Sequence, residues 1–130
     1  MDRAFYKVAM RPGKPLMAGR IGAAAMVGLP GNPVSAMVCG HVFVAPMIDA
    51  MLGLGAARAP RRTAPLATRL PANGPREHYM RARLSEAGIT AEDRQDSSLL
   101  SILAHSDALL VRPPRDPARE AGEVVEYLPL

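Results

Sequence analysis

Leu29-Pro30-Gly31-Asn32-Pro33-Val34-Ser35 is the stretch whose reading decides the fold. Just ahead of it, Ala23 to Leu29 is an unbroken apolar run of strand length, which is expected to form a strand buried on both faces. Asn32 is a strong helix N-cap, because its side-chain oxygen can accept from N–H groups that have no carbonyl partner one turn in. Pro33 suits the first helical position, where a missing N–H costs nothing. From there to about Leu52 the chain reads as a buried helix. Pro46 is expected to kink or split it, and Gly53 and Gly55 to end it. Strand, tight loop and helix in this order are the grammar of a layered α/β domain.

Towards the N-terminus, Tyr6–Met10 alternates weakly and Leu16–Ile21 is of strand length. Arg11-Pro12-Gly13-Lys14-Pro15 between them reads as a turn, with Pro-Gly at the central positions of type II. Towards the C-terminus the grammar changes. Gly53 to Pro65 is rich in Gly, Ala, Pro and Arg, and within it residues 56–62 are expected to link a first domain, 1–55, to a second, 63–130. In that second domain Thr63–Leu70 and Glu77–Leu84 read as strands around a hairpin-type loop, Pro71-Ala72-Asn73-Gly74-Pro75. Ser97–His105 reads as a short helix with Leu99, Leu100, Ile102 and Leu103 on its apolar face. Ala108–Arg112 and Glu123–Leu128 complete a small all-β domain of partial-barrel type.

Apolar residues make up 48% of the 130 and aromatics 4%, with no Trp, so the core must be aliphatic. That apolar content argues against disorder. The net charge is +4, and every cation except Lys7 and Lys14 is arginine, the side chain best shaped for oxyanions. The charges are not gathered into one basic face, which argues against nucleic-acid binding. One cysteine, Cys39, lies in an apolar run; with no second thiol in the chain to pair with, a reducing compartment and a cytoplasmic location are expected. Val34–Leu52 approaches the ~20 residues a membrane span needs. His41, Pro46 and Asp49 interrupt it, so no membrane partner is expected.

Four groups could carry chemistry. Lys7, Arg11 and Lys14 surround the Pro-Gly turn, where fixed cations could hold an oxyanion; the alternative is a basic surface turn. Pro30, Gly31, Asn32 and Pro33, followed by Ser35, place a helix N-terminus beside a flexible backbone. The macrodipole favours an anion there, and Gly31 would allow close approach; a capped helix is the alternative. In Gln95-Asp96-Ser97-Ser98, Asp96 or Ser97 could cap a helix and Ser98 could donate to an oxyanion. In Glu77-His78-Tyr79-Met80-Arg81-Ala82-Arg83, strand alternation puts Arg81 and Arg83 on one face, where a solvated surface is the simpler reading. The His and Cys residues are not at zinc spacing.

Taken together, Val8-Ala9-Met10-Arg11-Pro12-Gly13-Lys14-Pro15-Leu16, Gly28 to Ala36, Gln95-Asp96-Ser97-Ser98, and Arg112-Pro113-Pro114 with Ala121-Gly122-Glu123 resemble the C-terminal blocks of the molybdopterin molybdenumtransferases, whose eukaryotic relatives include the E domain of gephyrin. The resemblance covers essentially the whole chain. It implies that residues 1–55 are the second half of a molybdopterin-binding α/β domain and that 63–130 are the family's small C-terminal β-domain. It further implies an enzyme of molybdenum cofactor biosynthesis that hydrolyses adenylylated molybdopterin and inserts molybdate, works as a homodimer and depends on magnesium. Lys7, Arg11, Lys14, Pro30, Pro33, Arg81 and Ser98 match positions that surround the molybdate and phosphate in the family. Arg11 stands where many members have lysine. The family's acidic metal-site residues match nothing in this chain, so the expectation is an inactive fragment that supplies the oxoanion- and phosphate-binding side of the site. A non-catalytic scaffolding or dimerisation module is the alternative.

Overall fold

A computed structural model of the chain describes residues 2–5, 8–13, 16–55, 57–93, 95 and 100–130. The chain divides into two compact units, Met1–Ala59 and Pro60–Leu130.

The first unit carries a three-stranded antiparallel sheet in the order β1 (Asp2–Phe5), β3 (Met17–Ile21), β4 (Ala24–Gly28). A two-residue strand, β2 (Met10–Arg11), lies between β1 and β3 in sequence. β3 and β4 form a hairpin in which Met17 faces Gly28 and Ile21 faces Ala24. The apolar run Ala23–Leu29 is therefore an edge strand. Ala24 and Ala25 are exposed, and Met26 to Gly28 only half-buried, in place of the expected strand buried on both faces. Small side chains and an antiparallel hairpin leave that run with one neighbour, so its apolar composition reflects no second layer. Of the weakly alternating run Tyr6–Met10, Tyr6 and Lys7 lie outside the described residues, and among Val8, Ala9 and Met10 only Met10 belongs to a strand, β2.

The helix after Asn32 is capped as its sequence suggests. Asn32 Oδ1 accepts from the N–H groups of Val34, at 3.0 Å, and Ser35, at 3.2 Å. α1 (Pro33–Cys39) runs into a π-helical turn, Gly40–Val44, and then α2 (Ala45–Met51). Pro46 sits in the first turn of α2, just past the widened segment. Proline lacks an N–H and crowds the carbonyl one turn back, and a π turn relieves both problems without stopping the helix. Gly53, at φ 77°, ends the helix, and the Leu54 N–H reaches back 2.9 Å to the Asp49 carbonyl. Burial is confined to Val34, Ser35, Val38 and Cys39, while Met37, Ile48, Met51, Leu52 and Leu54 are exposed, Leu54 by 72%. The expectation of a buried helix thus holds for one face of its first turns only. By length and apolar composition alone, Pro33–Met51 would also be long enough to cross a membrane.

Gly13 is buried at φ 122°, after a cis Arg11–Pro12 peptide. A Cβ at Gly13 would meet Cys39 Sγ at 2.7 Å, so the turn packs directly on the α1 thiol. Burial pushes that thiol up to about 11.

The second unit is built on antiparallel strands in the order β5 (Arg62–Pro65), β9 (Val124–Pro129), β8 (Ala108–Arg112), β6 (Glu77–Ser85), β7 (Gly88–Ala91). The sheet curls until its ends meet: Leu66, just past β5, bridges Ile89 of β7, and the Ala67 N–H donates to the Ile89 carbonyl at 2.9 Å. Inside this partial barrel lie Leu66, Leu70, Ala82, Ile89, Ala108, Leu110, Val125 and Tyr127. A short helix, α3 (Leu100–Ala104), buries Leu103 but leaves Leu100 exposed, so Leu100 is not on the apolar face expected for it. The start expected for that helix, Ser97 to Leu99, lies outside the described residues.

Pro71–Pro75 is not a hairpin turn, since β5 pairs with β9 and β6 with β7 and β8. Asn73 is spent otherwise. Its Nδ2 donates to the carbonyls of Arg76, at 2.9 Å, and Pro113, at 2.8 Å, lacing two loops together. Next to it, Arg112 and Asp116 form a buried ion pair, 2.8 Å from Nε to Oδ2. The Arg112 guanidinium also donates to the carbonyls of Pro71 and Pro117, each at 3.0 Å, and Arg119 closes on the other carboxylate oxygen of Asp116 at 2.6 Å.

Two outcomes follow from this packing. Asp116→Ala leaves Arg112 buried without its counter-ion and is expected to destabilise the β-unit by about 3–5 kcal/mol, read from urea midpoints. Arg119 and then Arg112 hold the Asp116 carboxyl below its ordinary range against the opposing effect of burial. Its stabilisation is therefore complete above the unfolded value near ~3.9 and is lost as pH falls through the lower folded value. The substituted chain should lack that acid-side decline. Separately, the Cys39 thiol should react with a thiol-specific reagent at neutral pH only at the rate of unfolding, because it is both buried and protonated; rapid labelling of the native chain would contradict the Gly13–Cys39 packing.

Candidate oxyanion site

In the first unit the loop before α1 is held by its own cap. Pro30 and Asn32 are half-buried, Gly31 and Pro33 are exposed, and Ser35 is buried with its N–H on Asn32. Two first-turn donors are thus engaged by the Asn32 side chain. A Cβ at Gly31 would meet nothing within 4 Å, so no part of the chain itself requires glycine there. Arg11 is exposed on β2. Lys7 and Lys14 lie outside the described residues.

In the second unit, β6 separates its two arginines sharply. Arg83, 58% exposed in its side chain, pairs with Glu92 at 2.6 Å and behaves as a surface residue. Arg81 is 0% exposed. On the sheet Arg81 stands opposite Leu109, which stands opposite Leu128, both buried. Placing a guanidinium on an aliphatic sheet face is costly, so packing alone does not select it. A charge held out of water acts on an anion more strongly than a solvated one does.

The backbone of Arg81 is held by a residue whose role the sequence alone left open. The Arg81 N–H donates to Gln95 Oε1 at 2.9 Å, and Gln95 Nε2 donates back to the Arg81 carbonyl at 2.9 Å and to the Glu92 carbonyl at 2.8 Å. The Glu92 N–H also reaches the Arg81 carbonyl at 2.9 Å. A Gln just beyond a strand carries no local signal for such a contact; only the fold brings residues 14 apart together. Ser97 and Ser98, the other donors expected here, lie outside the described residues.

Among the described residues no three His, Cys, Asp or Glu side chains gather as a metal site would require. These residues therefore do not by themselves fit the magnesium that the resemblance implies. A cavity of about 140 Å³ beside β8 and β9 is lined by Val111, Pro113, Asp116, Arg119, Val125 and Glu126, among others, and by none of the expected site residues. Its charged groups are engaged within the unit, Arg119 with Asp116 and Glu126 with Arg61.

Comparison with known proteins places these features in context. Residues 63–130 match the family model described as the MoeA C-terminal region (domain IV), and residues 1–50 match a probable molybdopterin binding domain. Molybdopterin molybdenumtransferase 2 of Mycobacterium tuberculosis is 41% identical over 80 residues, which is 62% of this chain and 20% of that protein. The molybdopterin molybdenumtransferase of Haemophilus influenzae is 41% identical over 64 residues, 49% of this chain and 16% of that protein. Among solved structures, a molybdopterin biosynthesis moeA protein from Pyrococcus horikoshii superposes with a TM-score of 0.84 at 22% identity, covering 100% of this chain and 33% of that one. A molybdenum cofactor biosynthesis protein from Pyrococcus furiosus gives 0.80 at 23% identity, covering 96% and 44%. The chain thus spans about a fifth of the length of the curated relatives it matches.

Proposed function

The chain belongs to the MoeA family, and from that premise we propose that it takes part in molybdenum cofactor biosynthesis, in the insertion of molybdate into adenylylated molybdopterin. In this reading each unit brings its own anion donors. Lys7, Arg11, Lys14 and the Pro30–Pro33 loop with Ser35 serve the phosphate-bearing pterin; Arg81, with Ser97 and Ser98, serves the molybdate. Cytoplasmic residence and a homodimer go with the proposal.

The observation that carries it is Arg81, a fully buried guanidinium on a leucine-lined strand whose backbone is fixed by hydrogen bonds. Molybdate is a compact dianion. A charged hydrogen bond to it contributes about 1.5–3 kcal/mol, so Arg81→Ala should raise the molybdate dissociation constant roughly ten- to a hundredfold in calorimetric titration. Arg81→Lys should recover part of the loss, because the charge returns without the planar fork. If Arg81→Ala left molybdate binding unchanged but abolished molybdopterin binding, Arg81 would belong to the pterin phosphate instead.

Gly31→Ala tests the other unit. With nothing within 4 Å of the added methyl and no positive φ at Gly31, thermal stability should not move. Molybdopterin affinity should fall, because the methyl would stand between backbone and ligand. Unchanged affinity would remove the Pro30–Pro33 loop from the pterin site.

A further inference from the structure

We propose that Gln95 is a positioning residue for Arg81, an inference that rests on reading Arg81 as the oxoanion donor. The ladders around β6 show why such a residue is needed. On one side, β6 pairs with β8 from His78 to Ala82; on the other, it pairs with β7 only from Ala82 to Ser85. Arg81 is the first residue past the end of the β7 ladder. Its N–H there lies outside that ladder and is met by a side chain instead.

The Gln95 carboxamide fills that slot as a peptide group would. It accepts one bond through Oε1 and gives two through Nε2, to Arg81 and to Glu92. Only one orientation of the amide meets one N–H and two carbonyls, so the side chain is locked by the bonds it makes. Two bonds to a single residue fix that residue's backbone, and with it the direction in which its side chain leaves the sheet. A donor must be held to about half an ångström to serve a small ligand.

The test uses the full 130-residue chain, molybdate as probe, and the variants Gln95→Met and Gln95→Glu. The methionine keeps the volume and loses all three bonds. The glutamate keeps an acceptor for the Arg81 N–H but turns a carboxylate towards two carbonyls. Each should raise the molybdate dissociation constant about tenfold, in line with what loss of a ligand's orienting partner costs. Amide exchange at Arg81 should lose protection in Gln95→Met. A role confined to folding would lower the thermal midpoint and leave the folded chain's affinity intact, which would overturn the proposal. Should Gln95→Met fail to fold, Gln95→Glu decides by the same titration. If the unsubstituted chain bound no molybdate, the oxoanion reading would fall and this inference with it; normal binding by both variants beside a binding parent would overturn only the role of Gln95.

Discussion

The second unit depends on one close approach. A Cβ on Gly88 would lie 2.1 Å from the Pro65 carbonyl oxygen, and Gly88 itself has φ 121°. No side chain fits there, and few L-residues accept the backbone. Because that hydrogen atom is all that stands at the seam, the end of β5 can touch the start of β7. Leu66 then bridges Ile89, and the open sheet becomes a partial barrel. Closure turns Leu110, Val125 and Tyr127 towards Leu66 and Leu70 and so creates a core without a single tryptophan. The strand that starts at this seam, β7, leads at its other end to Glu92, whose N–H reaches the Arg81 carbonyl.

Local chemistry was legible where a residue acts on its neighbours. Asn32 and Pro33 announce the helix start, and Asn32 accepts the two N–H groups expected of a cap. Pro46 announces a disturbance, which takes the form of a π turn just ahead of it. What failed to show was anything that depends on the partner an element meets. An apolar run of small residues looks the same on an edge as in a centre, and β4 is an edge. Asn73-Gly74 looks like a hairpin turn, yet its asparagine bonds to carbonyls as far away as Pro113. The actual two-residue hairpin, Glu86-Ala87 between β6 and β7, has no Asn-Gly or Asp-Gly to announce it.

The candidate site divides in the same way. Alternation correctly puts Arg81 and Arg83 on one face, but period says nothing about depth, and the two differ from full burial to open exposure. Family resemblance picked out Arg81, whereas its physical distinction comes from Leu109 and Leu128, contributed by strands far along the chain. Gln95 was visible as part of a motif and silent about its work, since its three bonds exist only once β6 and β7 have paired. Lys7, Lys14, Ser97 and Ser98 lie outside the described residues, so for them resemblance remains the sole guide.

The strand order of the β-unit also bears on how it comes together. β5 has one ladder partner, β9, and the Arg61–Glu126 bond that flanks their pairing spans 65 residues of chain. β6 and β7, by contrast, are joined by a two-residue turn and can pair at once. Contacts of long sequence separation are slow because the entropy of closing the loop is lost before any bond returns it. Assembly should therefore begin at the β6–β7 hairpin and finish when β9 enters between β8 and β5. Until that last strand arrives, Leu66 and Leu70 have no lid, and the half-built sheet offers β8 as an open edge to any other extended chain in reach.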